Sequence, residues 1–485
     1  MSLIVYFGWL LDVLSLKGVS RRIFMNHAGP KDHAYPVHCA IWALLESGQK
    51  DRAKALAKAH WETIHSPRTG RDLIHIHMLD KNYEDVYGVA KELADRNPDS
   101  PWLQLLAADS AYFFLDDVAK GLELYRKADP VCQRFHWRHY SMSVVLKRLA
   151  MVYRRLGDAK NLEETLERHF KERASNFRDR EFMELAQFRL NRGDADGARE
   201  VLKWGFQASK RSVALRQLWE QMGFGEVPPI PPRKVKIPDM TGVTKIPVRT
   251  RLLVEGDDPV EIVTEYARKD LQPGDIVALS SAVSAIMDGR MLMEGAVPVS
   301  RTATLISSLI ARQHRTEDWG ASAPMANALS VQAALEEVGT LRILVAALVG
   351  GIGKILGKKG WFYSISGPQA GQIDDILGAL PPYDYYVIMG VKDARATASR
   401  IARALGPGIG AAIVDANDLG IAWVVGCSEG VDSQELERMM ADNPAGNGEE
   451  QTPIVVVRKK PIGPMPLGFK DVIEADRQKD YCESV

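Results

Sequence analysis

From residue 35 to residue 222, apolar residues recur at three- and four-residue spacing, the mark of helices with one buried stripe. Leu185, Phe188 and Leu190 supply the stripe of one such helix, and Val201, Leu202 and Phe206 that of its partner. Short polar breaks separate the helices, and the breaks resemble one another. Gly48-Gln49-Lys50-Asp51-Arg52-Ala53 matches Gly193-Asp194-Ala195-Asp196-Gly197-Ala198, with Gly157-Asp158-Ala159-Lys160-Asn161-Leu162 as a third version. Glycine and aspartate in such breaks end one helix and cap the next. After Met222 the pattern changes. Val227-Pro228-Pro229-Ile230-Pro231-Pro232 excludes helix. Beyond it, strands are predicted over 246–253, 276–280, 385–389, 411–414, 421–425 and 454–457, and helices over 258–269, 329–337, 341–352, 393–404 and 433–440.

Aligning the breaks puts Ala53, Gly88, Gly121, Leu162 and Ala198 in register, at steps of 35, 33, 41 and 36 residues. A helix-turn-helix repeat of about 34 residues has this period, and the region resembles a tetratricopeptide-type solenoid of four or five repeats. The expected organisation is multidomain. An N-terminal helical segment (1–34) precedes an all-α tetratricopeptide-like solenoid (35–225), a proline-rich linker (226–247) and an α+β domain (248–485). Such solenoids commonly hold a peptide or protein partner. Trp61, His65, His75, His77, Trp102, Tyr112, Trp137, His139 and Tyr140 would line a groove or fill the helix cores. His75 and His77 diverge on a helix and make a poor metal pair.

At 485 residues, 46% apolar and 26% charged, the chain reads as a soluble protein of two or three domains. Its 62 basic and 62 acidic residues balance, which argues against nucleic acid as a partner. Cys39, Cys132, Cys427 and Cys482 lie far apart, forming neither a disulfide framework nor a zinc knuckle, and a reducing cytoplasmic setting is expected. The apolar stretch 3–16, interrupted by Asp12 and followed by Lys17, Arg21 and Arg22, is too short to span a bilayer. It is expected to pack on the protein, with a membrane-surface helix, and so peripheral membrane contact, as the alternative. The apolar stretch 341–352 reads as a core helix.

Candidate chemistry gathers in the second half. Ile413-Val414-Asp415-Ala416-Asn417-Asp418-Leu419-Gly420 reads as a buried strand ending in two carboxylates and a carboxamide, aimed at a metal-bound phosphate or an amino acid. The same residues would also make an Asx-type turn. Gly350-Gly351-Ile352-Gly353-Lys354 through Lys358-Lys359-Gly360 lacks the ending of a phosphate loop and suits a glycine-bearing helix followed by a basic turn. Gly406-Pro407-Gly408-Ile409-Gly410 reads as a helix-to-strand turn.

Leu271-Gln272-Pro273-Gly274-Asp275-Ile276-Val277-Ala278-Leu279, followed by Val283 and Asp288-Gly289-Arg290, resembles the F420-0:gamma-glutamyl ligase family. The likeness runs with gaps from about residue 249 to 431. It implies the ligase fold for the α+β domain, with GTP or ATP as cosubstrate and Mg2+ or Mn2+ as the metal. It also implies an amide bond made to an amino acid, glutamate above all. The resemblance places metal ligands at Asp374 (or Asp375, one register on) and Asp415. It matches Asp288 and Asp415 to family acids, and Asp418 and Asn417 join them as candidates from the strand tip itself. Arg290, Arg301, Lys354, Lys358 and Lys359 are the cations that would supply phosphate or substrate contacts in place of family charge missing here. Two lysines of the family align with Ala282 and Ile286, and Ala416-Asn417-Asp418-Leu419 replaces a hydroxyl and glycine-arginine run. The sequence therefore supports an amino-acid ligase acting on a small-molecule or peptide acceptor, its repeats recruiting a partner. The alternative is a non-catalytic nucleotide- or metabolite-binding scaffold working through protein contacts. A homo-oligomer is compatible with either.

Overall fold

The computed structural model describes residues 2–135, 140–172, 177–231, 242–313, 327–355, 361–373, 379–417, 420–446 and 450–459. Helices α1 (Leu3–Val13) and α2 (Lys17–His27) come first. Five helix pairs follow: α3 (Ala34–Glu46) with α4 (Lys50–Ile64), α5 (Pro67–Leu79) with α6 (Tyr83–Arg96), and α7 (Pro101–Asp109) with α8 (Val118–Arg134). The last two are α9 (Ser141–Leu156) with α10 (Ala159–Lys171), and α11 (Asp179–Asn191) with α12 (Ala195–Ala208), before a final α13 (Val213–Gln221). The repeat is visible in its caps. Asn82, Asp117, Asp158 and Asp194 each precede the second helix of a pair and accept a hydrogen bond from the backbone amide three residues on.

The fourth residue of each second helix is the one held against its partner: Ala53, Val86, Gly121, Leu162 and Ala198. The expected Gly88 is two positions out of register. It is exposed with open space around it, whereas Val86 is fully buried. The polar break before α6 is a residue pattern of its own, and only the Asn82 cap aligns it with the others. At Gly121 the approach is close enough that a Cβ would stand 2.9 Å from the Tyr112 Cβ.

The second half is built on a five-stranded mixed sheet, in the order Thr244–Val248, Ile454–Arg458, Ile276–Ser280, Gly410–Asn417 and Ile421–Cys427. Its elements begin with β1 (Thr244–Val248), α14 (Pro259–Ala267), β2 (Ile276–Ser280), α15 (Ser281–Met287) and β3 (Met291–Met293). Helices α16 (Arg301–Gln313), α17 (Ala328–Val338), α18 (Thr340–Ile355), α19 (Trp361–Ser366) and α20 (Pro368–Gly371) form a separate layer. Then come β4 (Tyr386–Ile388), α21 (Ala394–Leu405), β5 (Gly410–Asn417), β6 (Ile421–Cys427), α22 (Ser433–Met440) and β7 (Ile454–Arg458). Strands β2 and β5 are parallel, the other pairings antiparallel, and β3 pairs only with β4. Ala411 to Val414 are all buried because apolar clusters cover both faces of the sheet, which explains the unbroken apolar run. Asp275 of the proline-glycine-aspartate turn is buried and held by Arg458, at 2.8 and 2.7 Å.

Further expectations change: the strand predicted over 246–253 runs from Thr244 to Val248, beginning within the predicted linker. The strand predicted to end at Val414 continues to Asn417, because β6 folds back and pairs Asp415 with Trp423 and Asn417 with Ile421. The carboxylate run is therefore the closing end of a hairpin. Helices α1 and α18 also depart from simple core helices: each packs one face and leaves the rest of its apolar surface exposed.

The two halves share one hydrophobic core. The first helices of the middle pairs, α5, α7 and α9, face the second half, and their charges meet carboxylates there. Arg68 clamps Glu336 at 2.8 and 2.7 Å, and Arg71 and His75 both bind Glu255. Trp102 stacks on Tyr385 with ring centroids 5.3 Å apart. Arg148, with 0% exposure, lies between Asp109 of its own half and Asp384 of the other. His75, Trp102 and Tyr140, expected to line a groove or fill the helix cores, are turned to the chain's own second half. Trp137 and His139 lie outside the described residues.

Burial would raise the carboxyls of Glu255 and Glu336, but the arginines opposite them outweigh it and hold both below their ordinary value of 4.5. A carboxylate whose folded pKa is depressed adds stability above its unfolded pKa and loses it as pH falls through the folded one. The junction is therefore expected to be at full strength at neutral pH and to weaken progressively below about 4.5. Urea midpoints measured against pH would show it: Glu255→Gln should flatten the acid limb while lowering the neutral plateau.

Candidate functional site

The parallel pair β2–β5 sets the site. Ser280 stands opposite Val414, so both strands open their carboxyl ends on one edge, the place where α/β sheets receive ligands. A cleft of roughly 200 Å³ lies there. One wall is Ser280, Ser281, Ala282 and Ile286, where β2 runs into α15; another is Val414 and Asp415 of β5. Thr250–Leu253, Asn443 and Thr452 close further sides, and Lys147 and Arg178 line it from the helical half.

Asp415 is open to water on its exposed side, yet the cleft walls strip enough solvent from the carboxyl to push it above its ordinary value. Burial is the sole cause. No hydrogen bond or ion pair engages this carboxylate among the described residues. Lys147 is the contrasting case: only 4% exposed, it sits beside Arg148 on an otherwise apolar stretch of α9, and near enough to Glu181 for its charge to help hold that buried carboxyl down. Arg251, also on the rim, is committed to Asp257 at 2.8 and 2.6 Å.

Of the candidate catalytic, metal and phosphate-binding residues, Asp415 alone lines the cleft among those described. Asp288 ends α15 two residues beyond the cleft-lining Ile286, and Arg290 follows it; neither lines the cleft. Burial raises the Asp288 carboxyl, with Arg290 and Arg400 pulling against it. Arg290 binds Glu337 at 2.9 Å and the Gly390 carbonyl at 3.1 Å, a structural joint between α15 and α17. Arg301 is exposed at the start of α16, and Asn417 closes the hairpin against Ile421. Asp374, Asp375, Asp418, Lys358 and Lys359 lie outside the described residues, as does the side chain of Lys354. No group of three or more His, Cys, Asp or Glu that would hold a metal ion occurs among the described residues.

Lys147 and Arg178 were missed because no local motif links them to the second half. A signal for Lys147 did exist: Lys147-Arg148 interrupts Val144-Val145-Leu146 and Leu149-Ala150, and a charge inside an apolar helical stripe needs a buried partner.

The fold defines a helical-repeat protein whose repeats complete a cleft on a mixed α/β half. No family model matches the chain, and no curated protein does. Among solved structures it is similar to a thermophilic TPR protein from Thermus thermophilus, with 16% identity and a TM-score of 0.24 over 40% of this chain and 100% of that one. It is also similar to nearly identical TPR-like repeats of a putative kinesin light chain from Podosopora anserina, with 15% identity and a TM-score of 0.27 over 40% of this chain and 99% of that one. The repeat architecture rests on the helix pairs and their caps, not on likenesses of that size.

Proposed function

We propose that the cleft binds an amino acid, glutamate above all, and that the chain works as an amide-forming ligase for it. The observation that carries this reading is the uncompensated Asp415 carboxylate in one cleft with Lys147 and Arg178. An amino acid presents an ammonium and a carboxylate together, and such a cleft offers each its counter-charge. Asp415 would take the ammonium, and Lys147 or Arg178 the carboxylate, with Ser280 and Thr452 as neutral hydrogen-bonding groups on the walls. Held this way, the amine would be oriented toward an acceptor entering over the strand ends.

Mg2+ or Mn2+ with GTP or ATP would supply acceptor activation in such a ligase. Within the described residues the donor set does not fit a metal, since Asp415 is the cleft's single lining carboxylate that no partner engages. The chain's own residues therefore support binding and orientation. A second reading follows from Ala282 and Ile286: these apolar residues stand on the cleft wall where the ligases carry lysines. It is an amino-acid-binding protein without turnover, acting through protein partners on its helical repeats.

Calorimetric titration of the full chain with glutamate and other amino acids tests the site. Glutamate should bind, and Asp415→Asn and Arg178→Ala should each weaken binding by roughly 10- to 100-fold, the range of a lost charged hydrogen bond. Absence of binding by the wild type would sink the amino-acid reading, and unchanged binding by Asp415→Asn would sink the site. Nucleotide turnover with magnesium or manganese in the presence of glutamate then separates ligase from binding protein.

A further inference from the structure

Fourteen of the twenty-one large apolar side chains exposed among the described residues lie on α1 and α2, the turn between them, and α18. Leu3 is 84% exposed and Leu348 66%. Helix α1 buries only Val5, Gly8 and Asp12, the stripe that meets α2, where a Cβ on Gly8 would strike Ile23 and Phe24. Most of the rest of it faces outward, Phe7, Trp9 and Leu10 included. On α18 the exposed set is Leu341, Leu344, Val345, Leu348 and Ile352, at helical spacing along one face. Its opposite face holds Ile343 and Ala346, both fully buried. The two helices meet where Gly339 approaches Ser15 and where the Arg342 amide donates to the Ser15 hydroxyl at 3.2 Å. The exposed Leu14 and Leu16, flanking Ser15, are thereby brought near the exposed Leu341 at the start of α18.

We propose that this surface docks on an anionic lipid membrane, with α1 and α18 lying in the plane of the interface. Charge selects the occupant. Helices α1, α2 and α18 carry Lys17, Arg21, Arg22, Arg342 and Lys354 against one acidic residue, Asp12, in a chain whose totals are 62 and 62. Asp12 is buried and paired with Lys17 at 2.7 Å, so these two charges cancel. Arg21 stands 3.7 Å from Glu46, which leaves Arg22 and Arg342 as the cations with no acid opposite them among the described residues. Exposed arginine charge beside an apolar face fits an anionic leaflet. A second copy of the chain fits less well, because a twofold contact sets the same patch against itself with Arg22 and Arg342 facing cations and no exposed acid on these helices to pair them. Tyr6 and Trp9, with ring centroids 5.8 Å apart, add aromatic groups suited to the headgroup boundary. At a rise of ~1.5 Å per residue, α1 extends about 16 Å and α18 about 24 Å, both short of a bilayer core of ~30 Å. No helix among the described residues is long and apolar enough to cross a membrane.

Flotation of the full chain with phosphatidylcholine vesicles, with and without phosphatidylserine, tests the proposal. The wild type should float with the phosphatidylserine vesicles and be released by salt. The exposed double variant Phe7→Glu/Leu348→Glu, checked for unchanged circular dichroism, should lose at least about tenfold in partitioning. Arg22→Glu should lose about fivefold or more, on anionic vesicles only. The proposal is overturned if the wild type binds neither vesicle, or if the double variant binds as well as the wild type. It is equally overturned if sedimentation without lipid shows a dimer that Phe7→Glu/Leu348→Glu dissolves, which would give the face to a second copy.

Discussion

Replacing Arg148 by alanine is expected to remove about 3–5 kcal/mol of stability, the cost of leaving buried charge without its partner. Arg148 donates to Asp109 at 2.8 and 3.2 Å and to both oxygens of Asp384, while Tyr125 donates to Asp109 at 2.6 Å. Burial works against the guanidinium charge, and the two carboxylates together hold it well above its ordinary value. Burial also pushes the Asp109 carboxyl up despite the arginine. The arrangement is thus a mutual one, in which removing the cation strands two acids at once. With domain stabilities near 5–15 kcal/mol, such a loss would put a large share of the chain in an unfolded or partly opened state at ambient temperature. Urea unfolding followed by near-ultraviolet circular dichroism would report it. Arg148→Met combined with Asp109→Asn and Asp384→Asn should recover part of the loss, because no charge is then left buried. A variant Arg148→Ala as stable as the wild type would show that the junction does not depend on this triad.

The second large effect concerns the separated halves. Residues 1–231 and 242–485 expressed alone are each expected to be insoluble or molten, and to co-purify as a folded complex when expressed together. The reason is the shared core: separation exposes Trp102 on one side and Tyr383, Tyr385 and Tyr386 on the other, all buried in the whole chain. It also divides the cleft, taking Lys147 and Arg178 away from Asp415. Size-exclusion chromatography and thermal melts would decide the matter, and glutamate titration should show binding to the complex and none to the second half. A soluble second half with a cooperative melt and full glutamate affinity would mean that the repeats are an appended module.

The helix pairs were legible in the sequence because their determinants are local. A three- and four-residue apolar period and an aspartate or asparagine cap act within one or two turns. Strand β2 and helix α22 fall on their predicted bounds for the same reason, as apolar runs bracketed by turn residues. Where two local readings compete, the outcome was not legible. Asp415-Ala416-Asn417 suits a strand tip or the start of a hairpin, and it was β6, pairing from the far side, that drew these residues into the strand. Gly88 shows the same limit within a repeat: a small residue near the right position carries no sign of which face it will take, and Val86 occupies the contact.

The sequence by itself determined the division into helical and mixed halves, the repeat with its caps, the strand-rich texture beyond the prolines, and Asp415 as a candidate. Only the tertiary structure decided what the charges do. Lys147 and Arg148 are neighbours on one helix, yet one lines a cleft with Asp415 and the other is locked to Asp384, 236 residues away. Periodicity states which residues must leave water. It does not state which opposite charge, far along the chain, the folded packing will bring to meet them.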